Sequence, residues 1–414
     1  MKIAVYTNSS DGSGARRVFF EFVKGLASDG HSLDLYHLSG TEIDKFPIKD
    51  FVKSVYTYNL ENFRDIRLQP YLFSLILNLF RKIHYLVKLK QISRKMCQDM
   101  IQRRYDLFFS DVCTVLRVPY HFRYLTIPSV MYLHHPKREA FEPSSFIVSS
   151  FSGEGHSSVM KIYKKFSSFV FQSEYALIGH AGKMNCQSAD LVLTNSCYTR
   201  EYIYKAYGVL AKVVYPGIDT DVFCPDSSSR KHFLLSVGGI EENKGFKDIV
   251  RAIALIPQEK RPYLVIVAGR RQPRIYEELV RLGKEKNVTV EFFENIHDRQ
   301  LIRLYSDALA TVFVPIMEPL GLVPLESMAC GTPVIGIREG GVRETVIHGK
   351  TGLLVDRDDQ ELADAIIRLM EDKDLYDHLS KNCREYILKN WTWEKSVRQL
   401  ETHFEKLIAQ HSKT

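Results

Sequence analysis

The sequence predicts an α/β protein with two Rossmann-like domains, and three observations support this prediction. The chain has 414 residues, of which 45% are hydrophobic and 25% charged, and this length exceeds what one core usually absorbs. Each half opens with an apolar strand, a glycine-containing loop and an amphipathic helix, at residues 2–30 and 231–256. Short apolar segments then alternate with helical patterns, which is typical of parallel sheets covered by helices.

The cysteines and the amino end of the chain bear on its location. The seven cysteines are scattered and lack CxxC or Cys/His ligand spacing, which indicates a reducing compartment and argues against a structural zinc. Residues 1–9 pass from a strand straight into a glycine loop, without a signal-peptide pattern. The longest apolar run, at 72–80, is interrupted by Ser74 and Asn78 and is far shorter than the roughly 20 residues that span a bilayer. We therefore expect a cytoplasmic protein without a transmembrane helix.

The first predicted unit consists of a strand at 2–7, a loop, a helix at 18–30 and a second strand. Its loop carries Gly12 and Gly14, and backbone NH groups at a helix start can bind a phosphate. The dinucleotide fingerprint GxGxxG is incomplete, because Arg17 occupies the third glycine position. A nucleotide-cofactor oxidoreductase is therefore disfavoured, and a plain tight turn remains the alternative to an anion site.

A basic amphipathic helix is predicted within residues 79–104. Residues 81–104 contain eight lysines or arginines against one acid, Asp99, a difference that equals the net charge of +7 of the whole chain. The same segment carries apolar residues at near-helical spacing, namely Leu79, Ile83, Leu86, Val87, Leu89, Ile92 and Met96. Two interpretations stay open: a helix on an anionic membrane surface, where each basic residue contributes about 1 kcal/mol, or a solvated face above a core-facing stripe. A nucleic-acid site is disfavoured because no recognition module accompanies the charge.

Candidate polar residues follow predicted strands in both halves. Within residues 128–143, His134 and His135 come after a strand, where imidazoles can hydrogen-bond to a substrate. A histidine pair in such a place is more often structural. In the second half, Lys244 precedes a helix start beside glycines, where a lysine suits a diphosphate. A solvated loop lysine is the alternative there.

The stretch at 309–355 holds the two acidic residues on which the functional hypothesis depends. A buried strand is predicted at 310–316, followed by a short helix with Pro324 in its first turn. Glu318 then lies on the loop after the strand, and Glu326 lies in the first turn of the helix. Ionised carboxylates at these places accept hydrogen bonds from sugar hydroxyls and from a ribose diol. The alternative is that Glu326 complements the helix dipole and that Glu318 is a solvated loop residue.

The segments around these residues resemble retaining glycosyltransferases of family 4. The resemblance rests on EPLGLVPLESMACGTPVIG, REGGVRETV and GKTGLLV, and earlier in the chain on SGARRV, YLHHPKR, ADLVLTNSCYTR and VVYPGIDT. Leu320 stands where the family usually has Phe. The resemblance implies the GT-B fold, in which two Rossmann-like domains face an interdomain cleft. It implies an acceptor-side domain at 1–216, a nucleotide-sugar domain at 217–390, and a final helix at 391–414 that crosses back to the first domain.

The resemblance also implies roles for single residues. Glu318 orients the donor sugar, Lys244 stabilises the leaving diphosphate, and His134 contacts the sugar. His135 replaces His134 if the register is shifted by one residue. The candidate donor-binding positions are Gly14, Arg17, Gly239, Lys244, Arg270, Gly321, Leu322 and Glu326, of which Arg270 is our own candidate and is not implied by the resemblance. No cofactor or metal is implied, because the Asp-x-Asp at 219–221 lies in the part that matches the linker.

One departure from the family pattern concerns the phosphate site. The family has an arginine five residues before the lysine that corresponds to Lys244, and Gly239 stands there in this chain. Arg270 or Arg271, after a predicted strand, is our candidate to supply the missing guanidinium. Without such a replacement, the chain fits a second hypothesis, a catalytically silent, membrane-associated subunit that binds a nucleotide sugar.

The reaction implied by the resemblance is transfer of a hexosyl group with retention at the anomeric carbon. The donor is a nucleotide diphosphate sugar, and the acceptor is a glycan or a lipid-linked molecule. The leaving phosphate helps to deprotonate the acceptor, so that no protein base is required. In the membrane interpretation of residues 79–104, the protein is peripheral and works at the cytoplasmic face of the inner membrane.

Overall fold

The computed structural model describes residues 1–8, 14–60, 71–141, 158–226 and 230–413, apart from the side chains at 45, 71–75, 139 and 158–165. The chain divides into two compact units. The first unit contains Met1–Asn195, Arg200–Val214 and Val397–Thr414. The second unit contains Ser196–Thr199 and Tyr215–Ser396. The domain boundaries expected from the sequence stay a prediction.

The first unit is built on a seven-stranded parallel sheet in the order β3-β2-β1-β4-β5-β6-β7. Its strands are β1 Lys2–Asn8, β2 Ser32–Leu38, β3 Ser54–Tyr58, β4 Leu107–Cys113, β5 Ser129–Tyr132, β6 Leu191–Thr194 and β7 Lys212–Val213. Its described helices are α1 Gly14–Ser28, α2 Tyr71–Gln102, α3 Ser158–Gln187 and α4 Cys197–Tyr207. Strands β4 and β5 are buried along their whole length, as is typical of strands inside a parallel sheet that helices cover.

The second unit is built on a six-stranded parallel sheet in the order β10-β9-β8-β11-β12-β13. Its strands are β8 Phe233–Val237, β9 Tyr263–Ala268, β10 Val290–Glu294, β11 Ala310–Phe313, β12 Val334–Ile337 and β13 Gly352–Val355. Its helices are α5 Phe246–Leu255, α6 Pro273–Lys286, α7 Asp298–Asp307, α8 Leu322–Ala329, α9 Val342–Thr345, α10 Asp359–Glu371 and α11 Lys373–Asn390. The strand order reverses between β8 and β11, and the loops at such a point are where open α/β sheets bind ligands.

The last helix, α12 Trp393–His411, packs on the first unit from Val397 onward. The ring of Phe404 lies 5.3 Å from that of Phe109 in β4. The imidazole of His31 lies 2.7 Å from the carboxylate of Glu401. A Cβ on Gly25 would lie only 2.3 Å from the side chain of Val397, so the absence of a side chain at position 25 permits the close packing of α1 and α12.

Three predicted element boundaries are wrong. Helix α1 begins at Gly14 rather than at 18, and its first turn includes Arg16, whose buried side chain donates to the carbonyl of Glu42. The strand predicted at 310–316 ends at Phe313. The predicted basic helix starts at Tyr71 and is longer than its charged part. Within the described residues, none of the helices has both the length and the apolar character of a membrane span.

Candidate active site

Lys244 and Glu318 lie together at the carboxyl edge of the second sheet. Lys244 ends a short 3-10 turn after β8, and Glu318 lies on the loop after β11. Because β8 and β11 are neighbours in the sheet, the loops that follow them meet. The Nζ of Lys244 lies 2.9 Å from Oε2 of Glu318, and the two side chains are 22% and 23% exposed. A cation and a carboxylate thus stand side by side, still accessible to a ligand.

Two glycines fix the backbone of Glu318. The NH of Gly341 donates to the Glu318 carbonyl at 2.8 Å. Gly340 has a φ of +54°, and a Cβ there would lie 2.4 Å from the same oxygen. The carboxylate therefore projects from a loop whose backbone is held by close contact with its neighbour.

The predicted position of Glu326 in its helix is wrong. Helix α8 begins at Leu322, directly after Gly321, which has a φ of +88°. Pro324 is then its third residue, and Glu326 lies in the second turn rather than in the first. Glu326 is 7% exposed, and the hydroxyl of Tyr305 donates to its Oε2 at 2.9 Å. Glu326 is buried and hydrogen-bonded, so it is not a surface carboxylate that complements the helix dipole.

Arg270 occupies the space beside Gly239. A Cβ on Gly239 would lie 3.2 Å from Cγ and 3.3 Å from Nε of Arg270. The side chain of Arg270 is 71% exposed, and its Nε lies 2.8 Å from the carboxylate of Glu241. Arg271 pairs instead with Glu294, at 2.6 Å. Of the two arginines considered as replacements, Arg270 is the one whose side chain lies next to the position that a Cβ of residue 239 would occupy.

Backbone hydrogen bonds keep Arg270 in this place. The NH of Ile240 donates to the carbonyl of Arg270 at 2.9 Å, and the NH of Gln272 donates to the carbonyl of Ile240 at 2.9 Å. Strands β8 and β9 are paired neighbours, so the loops after them run side by side. The backbone position of Arg270 beside Gly239 is therefore set by the sheet, and an exposed side chain extends from it.

In the first unit, His134 follows β5 and is buried beside Asp111 of β4. Its Nε2 lies 3.6 Å from Oδ1 of Asp111. The ring of His134 stands edge-on to that of Tyr132, with 5.0 Å between the centroids. Reasoning from the sequence did not single out Asp111, although an acid within the apolar segment that forms β4 is the signal that marks it.

His135 is more exposed than His134, but its ring is hydrogen-bonded to the backbone. Its Nδ1 lies 2.8 Å from the carbonyl of Pro136. Burial, together with the nearby Arg117, lowers the pKa of His135 to about 3. The imidazole is therefore neutral at ordinary pH, and its Nδ1 is engaged with the backbone. The choice of His134 over His135 stays a prediction.

Gly14 and Arg17 belong to the first turn of α1. Gly14 is the first residue of the helix, and Arg17 is partly exposed, in contrast to the buried Arg16. Gly12, the other glycine of the predicted loop, lies outside the described residues. The role of this loop in donor binding stays a prediction.

The acidic pair at 219–221 has a structural explanation. Oδ1 of Asp219 accepts hydrogen bonds from the NH groups of Asp221 and Val222, at 3.2 and 3.1 Å. This side chain therefore closes a turn. In the part of the chain that the structure describes, no cluster of three or more His, Cys, Asp and Glu residues is arranged to hold a metal ion.

Comparison with known proteins gives two family matches that together span most of the chain. Residues 12–222 match the model of Glycosyltransferase Family 4, and residues 219–386 match Glycosyl transferases group 1. A GDP-mannose-dependent alpha-(1-6)-phosphatidylinositol monomannoside mannosyltransferase from Mycobacterium tuberculosis is 33% identical over 237 residues. That match covers 51% of this chain and 60% of the relative, so the chain spans about three-fifths of the length of this relative.

Solved structures resemble the whole chain at low sequence identity. HepE from Anabaena, solved in complex with UDP-glucose, is 19% identical, with a TM-score of 0.68 over 98% of this chain and 100% of that one. Sucrose-phosphate synthase from Thermosynechococcus elongatus is 21% identical, with a TM-score of 0.68 over 99% of both chains. These matches and the two parallel sheets confirm the predicted fold class. The chain belongs to glycosyltransferase family 4 and has the GT-B fold.

Proposed function

We propose that this protein is a retaining glycosyltransferase that transfers a hexosyl group from a nucleotide diphosphate sugar to a glycan or lipid-linked acceptor. The contact of 2.9 Å between Lys244 and Glu318 carries the proposal. A diphosphate needs a cation that stabilises it as it leaves, and the sugar attached to it needs acceptors for its hydroxyls. Because the two groups are adjacent, one ligand that contains both chemistries can meet both of them.

The reaction breaks the bond between the anomeric carbon and the phosphate oxygen. A new bond forms on the same face of the sugar, from the anomeric carbon to the acceptor hydroxyl. The acceptor proton passes to the leaving phosphate, so charges and atoms balance without a protein base. Lys244 stabilises the negative charge on the diphosphate, Glu318 orients the sugar through its hydroxyls, and His134 contacts the sugar.

Glu326 holds the ribose of the nucleotide in this proposal. The hydroxyl of Tyr305 engages Oε2 of Glu326, which orients the carboxylate on a rigid helix. Gly321 and Leu322, at the start of the same helix, bring backbone NH groups toward the ligand. Gly14 and Arg17, at the start of α1, are the remaining donor-binding residues of the proposal.

The curated relative guides the choice of donor and acceptor. Its name specifies GDP-mannose and a phosphatidylinositol mannoside. We therefore place a mannosyl donor and a lipid-linked acceptor first among the candidates, with UDP-glucose as the second donor because HepE was solved with it.

A thermal-shift screen of GDP-, UDP- and ADP-sugars tests the proposal. A ligand at 100 times its Kd stabilises the folded state by about 2.7 kcal/mol, which raises the Tm. We expect one nucleotide class to raise the Tm and the matching sugar donor to be hydrolysed or transferred. Binding without any turnover would instead support the catalytically silent subunit, and a Tm unchanged by all donors would contradict both hypotheses.

Arg270 replaces the missing phosphate-site arginine in our proposal. The exposed guanidinium beside Gly239 is positioned to turn from Glu241 toward a diphosphate. We expect Arg270→Ala to weaken nucleotide diphosphate binding about tenfold, the size of one charge-assisted hydrogen bond. Isothermal titration measures this affinity directly.

The matched control is Arg271→Ala, which removes a neighbouring guanidinium that is committed to Glu294. This control variant is expected to bind like the wild type. In the Arg270→Ala background, the crowding at position 239 is relieved, and Gly239→Arg is expected to restore binding. Wild-type affinity in Arg270→Ala would refute the replacement.

A membrane location is supported by an apolar stripe on the outer face of α2. Ile76, Phe80, Ile83 and Val87 recur at intervals of three or four residues and are all exposed, Phe80 by 66%. The other apolar residues of the predicted helix, among them Leu86, Leu89 and Met96, are buried in the core. In this proposal, the exposed face of α2 meets the membrane, and the buried face is the core-facing stripe of the other interpretation.

Helix α3 also carries an exposed ring. Phe169 of α3 is 66% exposed, and an ion pair between Lys82 of α2 and Glu174 of α3 joins the two helices. Lys88 and Lys95 of α2 are exposed. A surface with apolar side chains and lysines suits an anionic bilayer. The apolar side chains insert among the acyl chains, and the anionic headgroups attract the lysines.

Replacing both Phe80 and Phe169 with glutamine is expected to lower binding to anionic vesicles at least tenfold, because burying each ring contributes about 1.5–3 kcal/mol. Co-sedimentation with vesicles of phosphatidylglycerol and phosphatidylcholine measures the effect. Leu255→Gln, at an exposed apolar residue of the second unit, is the control. Equal binding by the double variant and the control would contradict the membrane surface.

A further inference from the structure

Asp111 is a buried carboxylate that the surrounding polar groups leave without a hydrogen bond. Its side chain is 0% exposed, and neither of its oxygens has a hydrogen-bond partner among the described residues. Nearby polar side chains at the end of the sheet bond to one another, since Asn8 accepts from Thr41 and donates to Cys113. An ionised carboxylate in an apolar interior is strongly disfavoured unless a donor or a proton neutralises it.

His134 presents a complementary group. Its Nε2 is also enclosed without a hydrogen-bond partner among the described residues, and it lies 3.6 Å from Oδ1 of Asp111. The two residues come from the carboxyl ends of β4 and β5, which are paired strands. A movement of about 0.5 Å brings such a pair to hydrogen-bond distance, and catalytic hydrogen bonds are often long until a substrate binds.

Two other polar groups beside this pair are already hydrogen-bonded. The hydroxyl of Tyr132, whose ring abuts His134, donates to the carbonyl of Val214 at 2.7 Å. The Nδ1 of His135 is engaged with a backbone carbonyl. Nε2 of His134 therefore has Oδ1 of Asp111 as a nearby acceptor that is still without a hydrogen bond.

We propose that Asp111 is a positioning residue for His134, an inference that rests on the proposed glycosyltransferase function. Nε2–H of His134 donates to Oδ1 of Asp111, which leaves Nδ1 to accept a hydrogen bond from a hydroxyl of the donor sugar. The carboxylate also places a negative charge behind the imidazole, on the side away from the sugar. This charge favours the positive charge that develops on the sugar ring as the leaving group departs.

Asp111→Asn tests this role, because it keeps the size of the side chain and removes its charge. We expect kcat for sugar transfer to fall by about 10- to 100-fold, as misplaced catalytic groups do, while the affinity for nucleotide diphosphate stays at its wild-type value. The Tm of the unliganded protein is expected to stay the same or rise, because a buried carboxylate that lacks a hydrogen bond in this state is replaced by a neutral group. A merely structural role predicts the reverse, a lower Tm with an unchanged kcat for the folded fraction.

Asp34→Asn is the matched control. Asp34 is another buried carboxylate of the same sheet, near the amino end of β2, where it accepts from the Tyr105 hydroxyl at 2.6 Å. Its replacement is expected to leave kcat unchanged. Asp111→Ser serves as the second variant if Asp111→Asn does not fold, with the same expected fall in kcat.

A double-mutant cycle with His134→Ala gives the decisive readout. If Asp111 acts through His134, adding Asp111→Asn to His134→Ala lowers kcat no further. Fully additive losses, or wild-type kcat in Asp111→Asn, would overturn the proposal. These outcomes are distinct from failure of the proposed function, which would appear as the absence of transfer by the wild-type protein itself.

Discussion

Replacing Glu318 with glutamine is expected to lower kcat for sugar transfer by about 100-fold or more, the usual effect of removing one preorganised polar contact from a transition state. Glutamine keeps the shape of the side chain but loses the charge that attracts the sugar hydroxyls and pairs with Lys244. Steady-state kinetics with the donor identified by the thermal-shift screen measures the change. Affinity for the nucleotide diphosphate alone is expected to be retained, because Glu318 faces the sugar.

The control for this prediction is Glu371→Gln. Glu371 forms an ion pair with Lys260 at 2.7 Å, and both side chains are about half exposed on the surface of the second unit. The chemical change is the same, and kcat is expected to stay at its wild-type value. Equal losses in the two variants would show that the effect of Glu318→Gln arises from stability rather than from the site.

Replacing Lys244 with alanine is expected to lower kcat/KM by about 100- to 1000-fold, because the leaving diphosphate loses the cation that stabilises it. Unlike Glu318→Gln, this variant is expected to weaken binding of the nucleotide diphosphate as well. Lys244→Arg keeps the charge but presents it in a planar fork, so partial recovery is expected.

Lys260→Ala is the corresponding control, since it removes a lysine from the surface pair with Glu371. It is expected to leave kcat/KM unchanged. Tight nucleotide diphosphate binding by Lys244→Ala would contradict the assignment of Lys244 to the phosphate site.

The sequence predicted the architecture of the second unit because local signals there agree with one another. An apolar β-branched run precedes the loop of Glu318, Pro324 marks the first turn of the following helix, and the next strand begins after Gly331. Since β8 and β11 adjoin, the meeting of their loops follows from the order of strands in a Rossmann-like sheet. The proximity of Lys244 and Glu318 is a consequence of that order.

Contacts between loops that are distant in sequence were predicted only in part. The sequence offered Arg270 or Arg271 as the residue beside Gly239, and the distinction between them depends on contacts between the loops after β8 and β9, which no spacing in the chain reveals. The proximity of Asp111 and His134 depends on the pairing of β4 with β5. The start of α8 was misplaced because Leu322 and Val323 carry no polar capping signal, and this moved Glu326 by one turn.

The helix α2 illustrates a different limit. Its sequence carries one continuous apolar and basic pattern, and two interpretations of it were left open. The structure divides this pattern, with Leu86 and Leu89 in the core and Phe80 and Val87 on the outside. Periodicity alone does not reveal this division, because it depends on which neighbouring elements cover each turn of the helix.

The most direct test of the central claim is isothermal titration of the wild type and of Glu318→Gln with a nucleotide diphosphate and with the matching nucleotide sugar. If Lys244 holds the diphosphate and Glu318 holds the sugar, Glu318→Gln binds the nucleotide diphosphate like the wild type and binds the nucleotide sugar about tenfold more weakly. Equal weakening for both ligands, or no weakening for either, would contradict the assignment of Glu318 to the sugar.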